Sequence, residues 1–243
     1  MVSPARVGCT PMARWGRADL HTHTDASDGW PTPLQLVEHA ARLAGLDVMA
    51  VTDHDTIEGA LRAAEYAARR SKLQVVVGEE VSSLDGHIIG LFLEHRVKPG
   101  MSAAATVHAI HDQGGIAIAA HPFWRTQRQV RTGNPVHGVG WLAAELAFDA
   151  IEVENATPGF YVFNRLARRL NMGLGAAELG CSDAHIVDAV GRAFTEFPGK
   201  TPADLRKAIE AAQTRAGRRR YRAVGLMRYA AWGLNHQRYV VAV

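Results

Sequence analysis

From about Arg17 onward, short apolar runs alternate along the chain with longer segments in which apolar residues recur at helical spacing. Residues 48–52, apolar up to Thr52, and residues 116–120, apolar throughout, are the runs expected for strands that are buried on both faces. Residues 33–44 and 58–70 instead carry apolar stripes of helical period. This alternation of strand and helix predicts an α/β fold with a parallel sheet or barrel.

The same pattern extends through the C-terminal half and includes a hairpin. Asp85 and Gly86 give a tight-turn signal between the run that begins at Gln74 and the run at residues 87–93. Further strands are predicted at residues 150–155, 179–181 and 191–197, and further helices at residues 102–113, 139–148, 160–171 and 202–212.

Polar groups follow several predicted strands at the residue where each strand ends. His21 and His23, at positions i and i+2, project to the same face of an extended segment. In barrel proteins the carboxyl ends of the strands meet at the face that carries the active site. Each histidine taken singly could be a structural residue, but the repetition of the pattern favours a metal site. The strand-end groups are His21, His23, His54, Glu80, His121, Asp183 and His185.

The donor types of these groups narrow the metal chemistry. Imidazole and carboxylate ligands without thiolates suit zinc, manganese or ferrous iron and disfavour a structural cysteine-type zinc site. There are more ligands than one ion needs, so we expect two or three divalent ions. Closely spaced ions can stabilise the attacking and leaving oxygens of a phosphoryl transfer. The pattern therefore favours an enzyme that acts on phosphate esters.

The length and composition of the chain are those of a single globular domain. The 243 residues are 47% hydrophobic and 21% charged, with a formal net charge of +3. Cys9 and Cys181 have no CxxC spacing, which favours a reducing compartment. Residues 1–17 lack the apolar region of a signal peptide, and no apolar run approaches the length of a membrane span. We therefore expect a cytoplasmic protein with no membrane partner.

Arginines and aromatic residues are interleaved over residues 215–238. Such a segment could bind single-stranded nucleic acid through phosphate contacts and base stacking. A helix that packs on the barrel and leaves its arginines in water explains the same residues, and we favour this second interpretation. We expect an N-terminal extension at residues 1–17, a catalytic domain at residues 18–212 and a basic C-terminal segment at residues 213–243 that packs on the barrel or extends it.

A series of motifs in order resembles the PHP (polymerase and histidinol phosphatase) family of metal-dependent phosphoesterases. The motifs are LHTHTDASDG from Leu20, TDHDT from Thr52, GEEVSS from Gly78, GHIIGLF from Gly86, AHPF from Ala120, IEVENA from Ile151 and CSDAHIVDAVGRAFTEF from Cys181. The resemblance implies a distorted (β/α)7 TIM-like barrel, the PHP fold, and covers residues 18–212.

The resemblance also implies how the ligands are shared among the ions. His21, His23, Glu80 and Asp183 would hold one ion. Glu80 would bridge to a second ion, which His121 would also hold. Asp28, His54 and His185 would hold a third. Glu80 rather than Glu79 matches the family position, and strand alternation forbids both side chains from pointing inward.

The expected function is hydrolysis of phosphate monoesters by a metal-bridged hydroxide. The substrate would be a small phosphorylated metabolite or a nucleotide, including nucleoside bisphosphates and the 5′ ends of short RNA, which the sub-family pattern resembles. His87 is the candidate proton donor or phosphate ligand, and Arg125 is the candidate phosphate clamp. The main alternative is a histidinol-phosphate phosphatase. An alternative of another class is a nucleic-acid-binding protein with an accessory PHP barrel.

The other polar residues near these motifs are not expected to bind metal directly. Asp53, Asp55 and Asn155 are expected to orient ligands rather than bind metal. The remaining histidines match no motif or lie on predicted helices, and we assign them no function. They are His39, His95, His108, His111, His137 and His236.

Overall fold

A computed structural model describes residues 14–131 and 133–240, with the side chains of Leu43 and residues 236–240 excepted. Most of the predicted N-terminal extension, including Cys9, lies outside the described residues. Within the described residues, one mixed sheet contains nine strands in the spatial order β7-β6-β5-β4-β3-β2-β1-β8-β9. They are β1 Trp15–Asp19, β2 Val48–Val51, β3 Gln74–Ser83, β4 Gly86–Leu91, β5 Ile116–Ala119, β6 Ala150–Asn155, β7 Ala177–Cys181, β8 Ala193–Pro198 and β9 Arg215–Arg218.

The sheet curves into a nearly closed barrel, as the fold-class prediction expects. Strands β1 to β3 are parallel, as are β5 to β7, whereas β4 and β8 run antiparallel to their neighbours. The gap between β7 and β8 is bridged by Thr195, whose Oγ1 accepts from the Gly180 amide at 3.1 Å and donates to the Gly180 carbonyl at 3.0 Å. A Cβ at Gly180 would lie 2.5 Å from the carbonyl oxygen of Phe194, so close approach requires glycine there.

Seven α-helices are found among the described residues. They are α1 Pro33–His39, α2 Glu58–Arg70, α3 Ala103–Asp112, α4 Leu142–Glu145, α5 Tyr161–Leu174, α6 Pro202–Glu210 and α7 Ala223–Val240. Helix α1 starts with a capping box between Thr32 and Gln35 and continues as a π-helical turn at Ala40–Ala44. The barrel interior is filled by small and branched residues such as Ala18, Ile89, Ile118 and Leu179.

The structure differs from the sequence-based elements in two places. The predicted helix at residues 139–148 is reduced to α4 because Gly140 has a positive φ and Leu146 is already extended toward β6. The arginine-rich segment is not one helix: Arg215–Arg218 pairs with β8, and α7 follows. The buried side chain of Tyr229 on α7 packs in one cluster with Leu36 and Val37 of α1 and with Ala189 of the turn at Val187–Ala189.

Candidate metal centre

The Glu80 carboxylate lies at the centre of a ring of histidines. Its Oε2 is 3.1 Å from Nε2 of His21, 3.3 Å from Nε2 of His23 and 3.4 Å from Nδ1 of His54. Its Oε1 faces the opposite side of the cleft and is 2.9 Å from Nδ1 of His87. One carboxylate therefore presents each oxygen to a different set of imidazoles, which is the arrangement of a ligand that bridges two ions.

His121 completes the side of the ring that Oε1 faces. Its Nε2 is 3.1 Å from Oε1 of Glu80, so His121 and His87 approach the same oxygen from β5 and β4. Glu79, the next residue along β3, faces away from the cleft. Its Oε2 accepts from the amide of Val97 at 2.8 Å. Burial raises the pKa of Glu79 to about 7, so this carboxyl is poorly suited to be an anionic ligand.

A second group of ligand atoms surrounds Asp28. Its Oδ1 lies 3.2 Å from Nε2 of His185 and 3.6 Å from Nδ1 of His23, and its Oδ2 lies 3.8 Å from Nε2 of His54. His185 donates from Nδ1 to the carbonyl of Asp183 at 3.0 Å, which leaves its Nε2 as the nitrogen that faces Asp28. The structure thus brings the three residues assigned to a third ion together.

Asp183 joins the first group from the end of β7. Its Oδ1 is 3.4 Å from Nε2 of His21 and 3.3 Å from Nε2 of His23. Its Oδ2 accepts from Nδ2 of Asn155 at 3.1 Å and from Oγ1 of Thr157 at 3.2 Å. One oxygen is held by hydrogen bonds while the other faces the imidazoles, which fixes the orientation of the carboxylate.

Two of these residues have positive φ angles, a backbone conformation that residues other than glycine rarely adopt. His121 has φ of 26° and Asp183 has φ of 52°. Such conformations cost of order 1–3 kcal/mol and persist where the surrounding structure enforces them, commonly at functional sites. The chain therefore accepts local strain where β5 and β7 deliver their polar groups.

The loop that carries the two histidines of β1 is anchored by Asp53. Asp53 accepts from the amide of Thr24 at 2.7 Å, from Oγ1 of Thr24 at 2.6 Å and from Oγ of Ser27 at 2.6 Å. Asp55 accepts from the amide of Ser82 at 2.7 Å and so ties the loop after β2 to β3. Both aspartates, like Asn155, support the ligands without entering the ring.

Glu152 on β6 supports the ring from behind, a role that the sequence analysis did not assign. Its Oε1 is 3.1 Å from Nδ1 of His21, and its Oε2 accepts from the amide of His121 at 2.6 Å. A carboxylate behind a ligating histidine fixes the tautomer and increases the basicity of the ligand. The sequence did carry a signal for such a role, since two carboxylates, Glu152 and Glu154, lie on a strand that is otherwise apolar up to Asn155. Only the tertiary structure shows which of the two contacts the histidines.

The charges of the ring shift the pKa values of its members strongly. Burial alone would raise the pKa of Glu80 and Asp183, but the surrounding histidines hold both well below their ordinary values. Burial likewise would lower the pKa of His23, yet Asp183 and Glu80 raise it to about 10. His54 behaves differently, because its burial lowers the pKa to about 4. Concentrated carboxylate charge is thus balanced by protons on imidazoles, which is the role a divalent cation would take over.

The donor set fits divalent metal. Ligand atoms within 4.8 Å of one another are found in the groups His23–Asp28–His54–His185, His21–His23–Asp183, His21–Glu80–His121 and His54–Glu80–His87. In the described part of the chain, both nitrogens of His23 and Nδ1 of His121 are buried without a hydrogen-bond partner. Buried polar atoms are normally paired, so these nitrogens indicate a partner of another kind. Imidazole with carboxylate and no thiolate suits zinc, manganese or ferrous iron.

The rim beside His87 contains a histidine to which the sequence analysis gave no function. The His137 ring lies 4.7 Å from the His87 ring and 4.5 Å from the Trp124 ring, measured between centroids. Burial lowers the pKa of His137 to about 3, so it is neutral at physiological pH. Arg125 is exposed on the same rim, with its guanidinium carbon 5.9 Å from the Trp124 centroid. No sequence motif marked His137, because its loop is brought to the site by tertiary contacts.

The comparisons with known proteins agree with this arrangement. A PHP domain model matches residues 19–129, and a PHP-associated model matches residues 162–214. An uncharacterized protein of Methanocaldococcus jannaschii is 32% identical over 163 residues, which cover 62% of this chain and 88% of that protein. The chain belongs to the PHP family. As a member of this family of metal-dependent phosphoesterases, it is a hydrolase that acts on phosphate esters.

Other PHP relatives carry named activities but match shorter parts of the chain. A 5′-3′ exoribonuclease of Haemophilus influenzae is 42% identical over 89 residues, 35% of this chain and 31% of that protein. A phosphoribosyl 1,2-cyclic phosphate 1,2-diphosphodiesterase of Eggerthella lenta is 36% identical over 126 residues, 49% of this chain and 44% of that protein. The chain thus spans less than half the length of these two enzymes.

The PHP fold itself is supported by a solved structure. A two-domain protein of Bacteroides vulgatus containing a predicted PHP-like metal-dependent phosphoesterase has a TM-score of 0.68 with 21% identity. The similarity covers 84% of this chain and 65% of that protein. Among the described residues, no helix is both long and apolar enough to pass through a bilayer.

Three C-terminal arginines of the PHP chain make intramolecular contacts. Arg218 donates to Oε1 of Glu154 at 2.8 Å, and Arg219 donates to the carbonyl of Ala44 at 2.7 Å. Arg228 lies 2.8 Å from the Asp188 carboxylate. These three arginines therefore tie the segment to β6, to the end of the first helix and to the turn at Val187–Ala189.

Proposed function

We propose that this PHP phosphoesterase hydrolyses phosphate esters of ribonucleotides, namely nucleoside bisphosphates or the 5′ ends of short RNA, with two or three divalent ions held by the ring. The observation that carries the proposal is the placement of Glu80, whose two oxygens face separate histidine sets. A bridging carboxylate keeps ions close enough to act on one phosphate group. The metal ligands would be His21, His23, Asp28, His54, Glu80, His121, Asp183 and His185.

Bound divalent ions would supply activated water and neutralise charge on the phosphate oxygens. The protein's own contribution is to orient the ligands. Asn155 and Glu152 fix the orientation of Asp183 and His21 by the hydrogen bonds described above. Because the ligand atoms are held before substrate arrives, little reorganisation is needed during the reaction.

We propose that His87 is also a metal ligand. Its Nδ1 points at the same oxygen of Glu80 as Nε2 of His121 does. A nitrogen in that position is directed toward the ion that this oxygen would bind, rather than toward a leaving group in the open cleft. The alternatives are the sequence-based roles of His87 as proton donor or phosphate ligand, and the metal content of a His87 variant separates metal binding from both.

Substrate recognition would fall to the rim near His121. Trp124 and Phe160 lie with their ring centroids 4.8 Å apart and form an aromatic wall beside the ligands. Phe160 is buried and Trp124 is half-buried, so the Trp124 face is the one that could stack on a nucleobase. Arg125 is exposed at the same rim and could clamp a phosphate with two donors. The activities named for the exoribonuclease and the cyclic phosphodiesterase relatives are consistent with substrates built on ribose phosphate.

A panel of substrates with Mn²⁺ or Zn²⁺ tests the proposal. The panel contains adenosine 3′,5′-bisphosphate, a short RNA with a 5′ phosphate, a ribose 1,2-cyclic phosphate and histidinol phosphate, with Glu80→Gln as the inactive control. We expect turnover of the bisphosphate or the RNA to exceed that of the other two. Preference for histidinol phosphate would favour the alternative phosphatase, and the absence of hydrolysis of every ester with metal present would refute the proposed function.

A further inference from the structure

Helix α7 lies beyond the region that the family models match, yet its inner face reaches the ligands. The PHP-associated model ends at residue 214, and α7 begins at Ala223. Tyr229 and Trp232 lie on the same side of α7 and point inward, and Tyr229 is buried. Gly225 lies one turn earlier on this side, where a Cβ would be 3.3 Å from Cβ of Asp188. The helix is therefore packed closely against the loop that carries His185.

Trp232 contacts the Asp28 group at two points. Its indole Nε1 donates to the carbonyl oxygen of Asp28 at 2.9 Å. Its ring lies 4.2 Å from the ring of His185, between centroids, at an interplanar angle of 38°. One side chain thus holds the backbone of one candidate ligand and the ring plane of another.

Tyr229 reaches a different ligand through one intermediate. Its hydroxyl lies 3.3 Å from Oγ1 of Thr157, and that Oγ1 lies 3.2 Å from Oδ2 of Asp183. Asp183 directs its other oxygen at His21 and His23. Tyr229 is therefore linked to the ligands that would hold the ion assigned to these histidines, whereas Trp232 contacts ligands that would hold the ion assigned to Asp28, His54 and His185.

We infer that α7 is part of the metal centre and that Trp232 and Tyr229 are positioning residues, each setting the affinity of a different ion. The inference rests on the proposed metal centre. Groups that orient metal ligands typically change metal affinity by about 10- to 100-fold when they are removed. The outer face of α7 offers matched controls, because Met227 and Leu234 are 64% and 67% exposed.

Metal titration of the full chain tests the inference. Metal-free protein is dialysed against graded Mn²⁺, and bound metal is counted for wild type, Trp232→Phe, Trp232→Ala, Tyr229→Phe, Met227→Ala and Leu234→Ala. We expect W232A to weaken one ion by about 10- to 100-fold while the others keep wild-type affinity. W232F keeps an aromatic ring on His185 but loses the indole donor, so its effect should be smaller. Y229F should weaken an ion that W232A leaves unchanged, and the two outer-face variants should match wild type.

A loss of affinity for one ion at an unchanged melting temperature is the readout that a merely structural role would not give, and fluorescence identifies the ion that binds beside Trp232. Binding of Co²⁺ at the Asp28 group should quench the emission of Trp232 because its ring touches His185, and W232F should lose that component while keeping the fold. Wild-type affinity for every ion in W232A and Y229F overturns the inference, as does uniform weakening of all ions in proportion to a lower melting temperature. Those outcomes leave the proposed function standing, whereas a wild-type protein that binds no metal overturns both.

Discussion

Nδ1 of His87 lies 2.9 Å from Oε1 of Glu80, although the two residues are on different strands of the β3–β4 hairpin. The hairpin register pairs Glu80 with Ile89 and Ser82 with His87, so Glu80 and His87 project from the same face. The two-residue turn at Leu84 and Asp85, one residue earlier than the sequence signal at Asp85 and Gly86, fixes that register. A sequence signal for a hairpin thus also determines which side chains meet at the centre of the site.

Glu80→Gln should abolish metal-dependent hydrolysis, whereas Glu79→Gln should preserve it. An amide cannot serve as an anionic bridge between two cations, so we expect at least a ~100-fold loss of activity and loss of bound metal for E80Q. Glu79 faces Val97 and its raised pKa of about 7 already makes it partly neutral, so a neutral amide is tolerated. Metal analysis and hydrolysis of a chromogenic phosphate ester check the pair, and equal loss in both variants would contradict the bridging role.

His87→Asn should reduce metal binding as well as activity. If His87 directs its Nδ1 at an ion shared with Glu80 and His121, its loss weakens that ion by about 10- to 100-fold. His137→Asn is the neighbouring control, because His137 is neutral and its ring lies against the ring of His87 rather than among the ligand atoms. Full metal content in H87N combined with slow hydrolysis would instead favour the proton-donor role.

Metal binding should release protons near pH 7, and the apparent affinity should rise with pH. In the metal-free protein, Asp183 and Glu80 raise the pKa of His23 to about 10, so His23 is protonated at neutral pH although burial opposes this. The pKa of His21 is raised well above its ordinary value in the same way. Because an imidazole must lose its proton to bind metal, each ion competes with protons. Calorimetric titration in buffers of different ionisation enthalpy measures the release, and an affinity that is constant between pH 6 and 8 would contradict it.

Two glycine-to-alanine substitutions on helices should have opposite effects on stability. A Cβ at Gly59 in the first turn of α2 would lie 2.0 Å from Oδ2 of Asp53 and 2.5 Å from Oγ1 of Thr24. Gly59→Ala should therefore destabilise the protein by roughly 1–3 kcal/mol and disturb the loop that carries His23. At Gly173 on α5, nothing among the described residues lies within 4 Å of the added Cβ, so Gly173→Ala should stabilise by about 0.5–1 kcal/mol. Thermal unfolding of both variants checks the signs.

The sequence by itself determined the alternation of strands and helices and the places where polar groups follow strands. The signals for these elements are local: apolar runs of strand length, apolar stripes of helical period, and the turn residues Asp85 and Gly86. Helix α2, for example, was predicted with the bounds Glu58–Arg70 that the structure has. Strand alternation also predicted that Glu79 and Glu80 point to opposite faces of β3, so that only one of them can face the site. The parallel arrangement then implied that the strand ends converge, since that follows from topology rather than from side-chain detail.

Tertiary structure decided the contacts that depend on residues far apart in the chain. Glu152 meets His21 across 131 residues, and Trp232 meets Asp28 across 204 residues. His137 lies on the rim only because its loop pairs with His87, whose amide donates to the His137 carbonyl at 2.7 Å. Neither composition nor periodicity carries information about such pairings, because they arise from how separate elements pack. The histidine pair after β1 was visible from the sequence, but its support by Glu152 on β6 and the contacts of α7 with Asp28 and His185 were visible only in the folded chain.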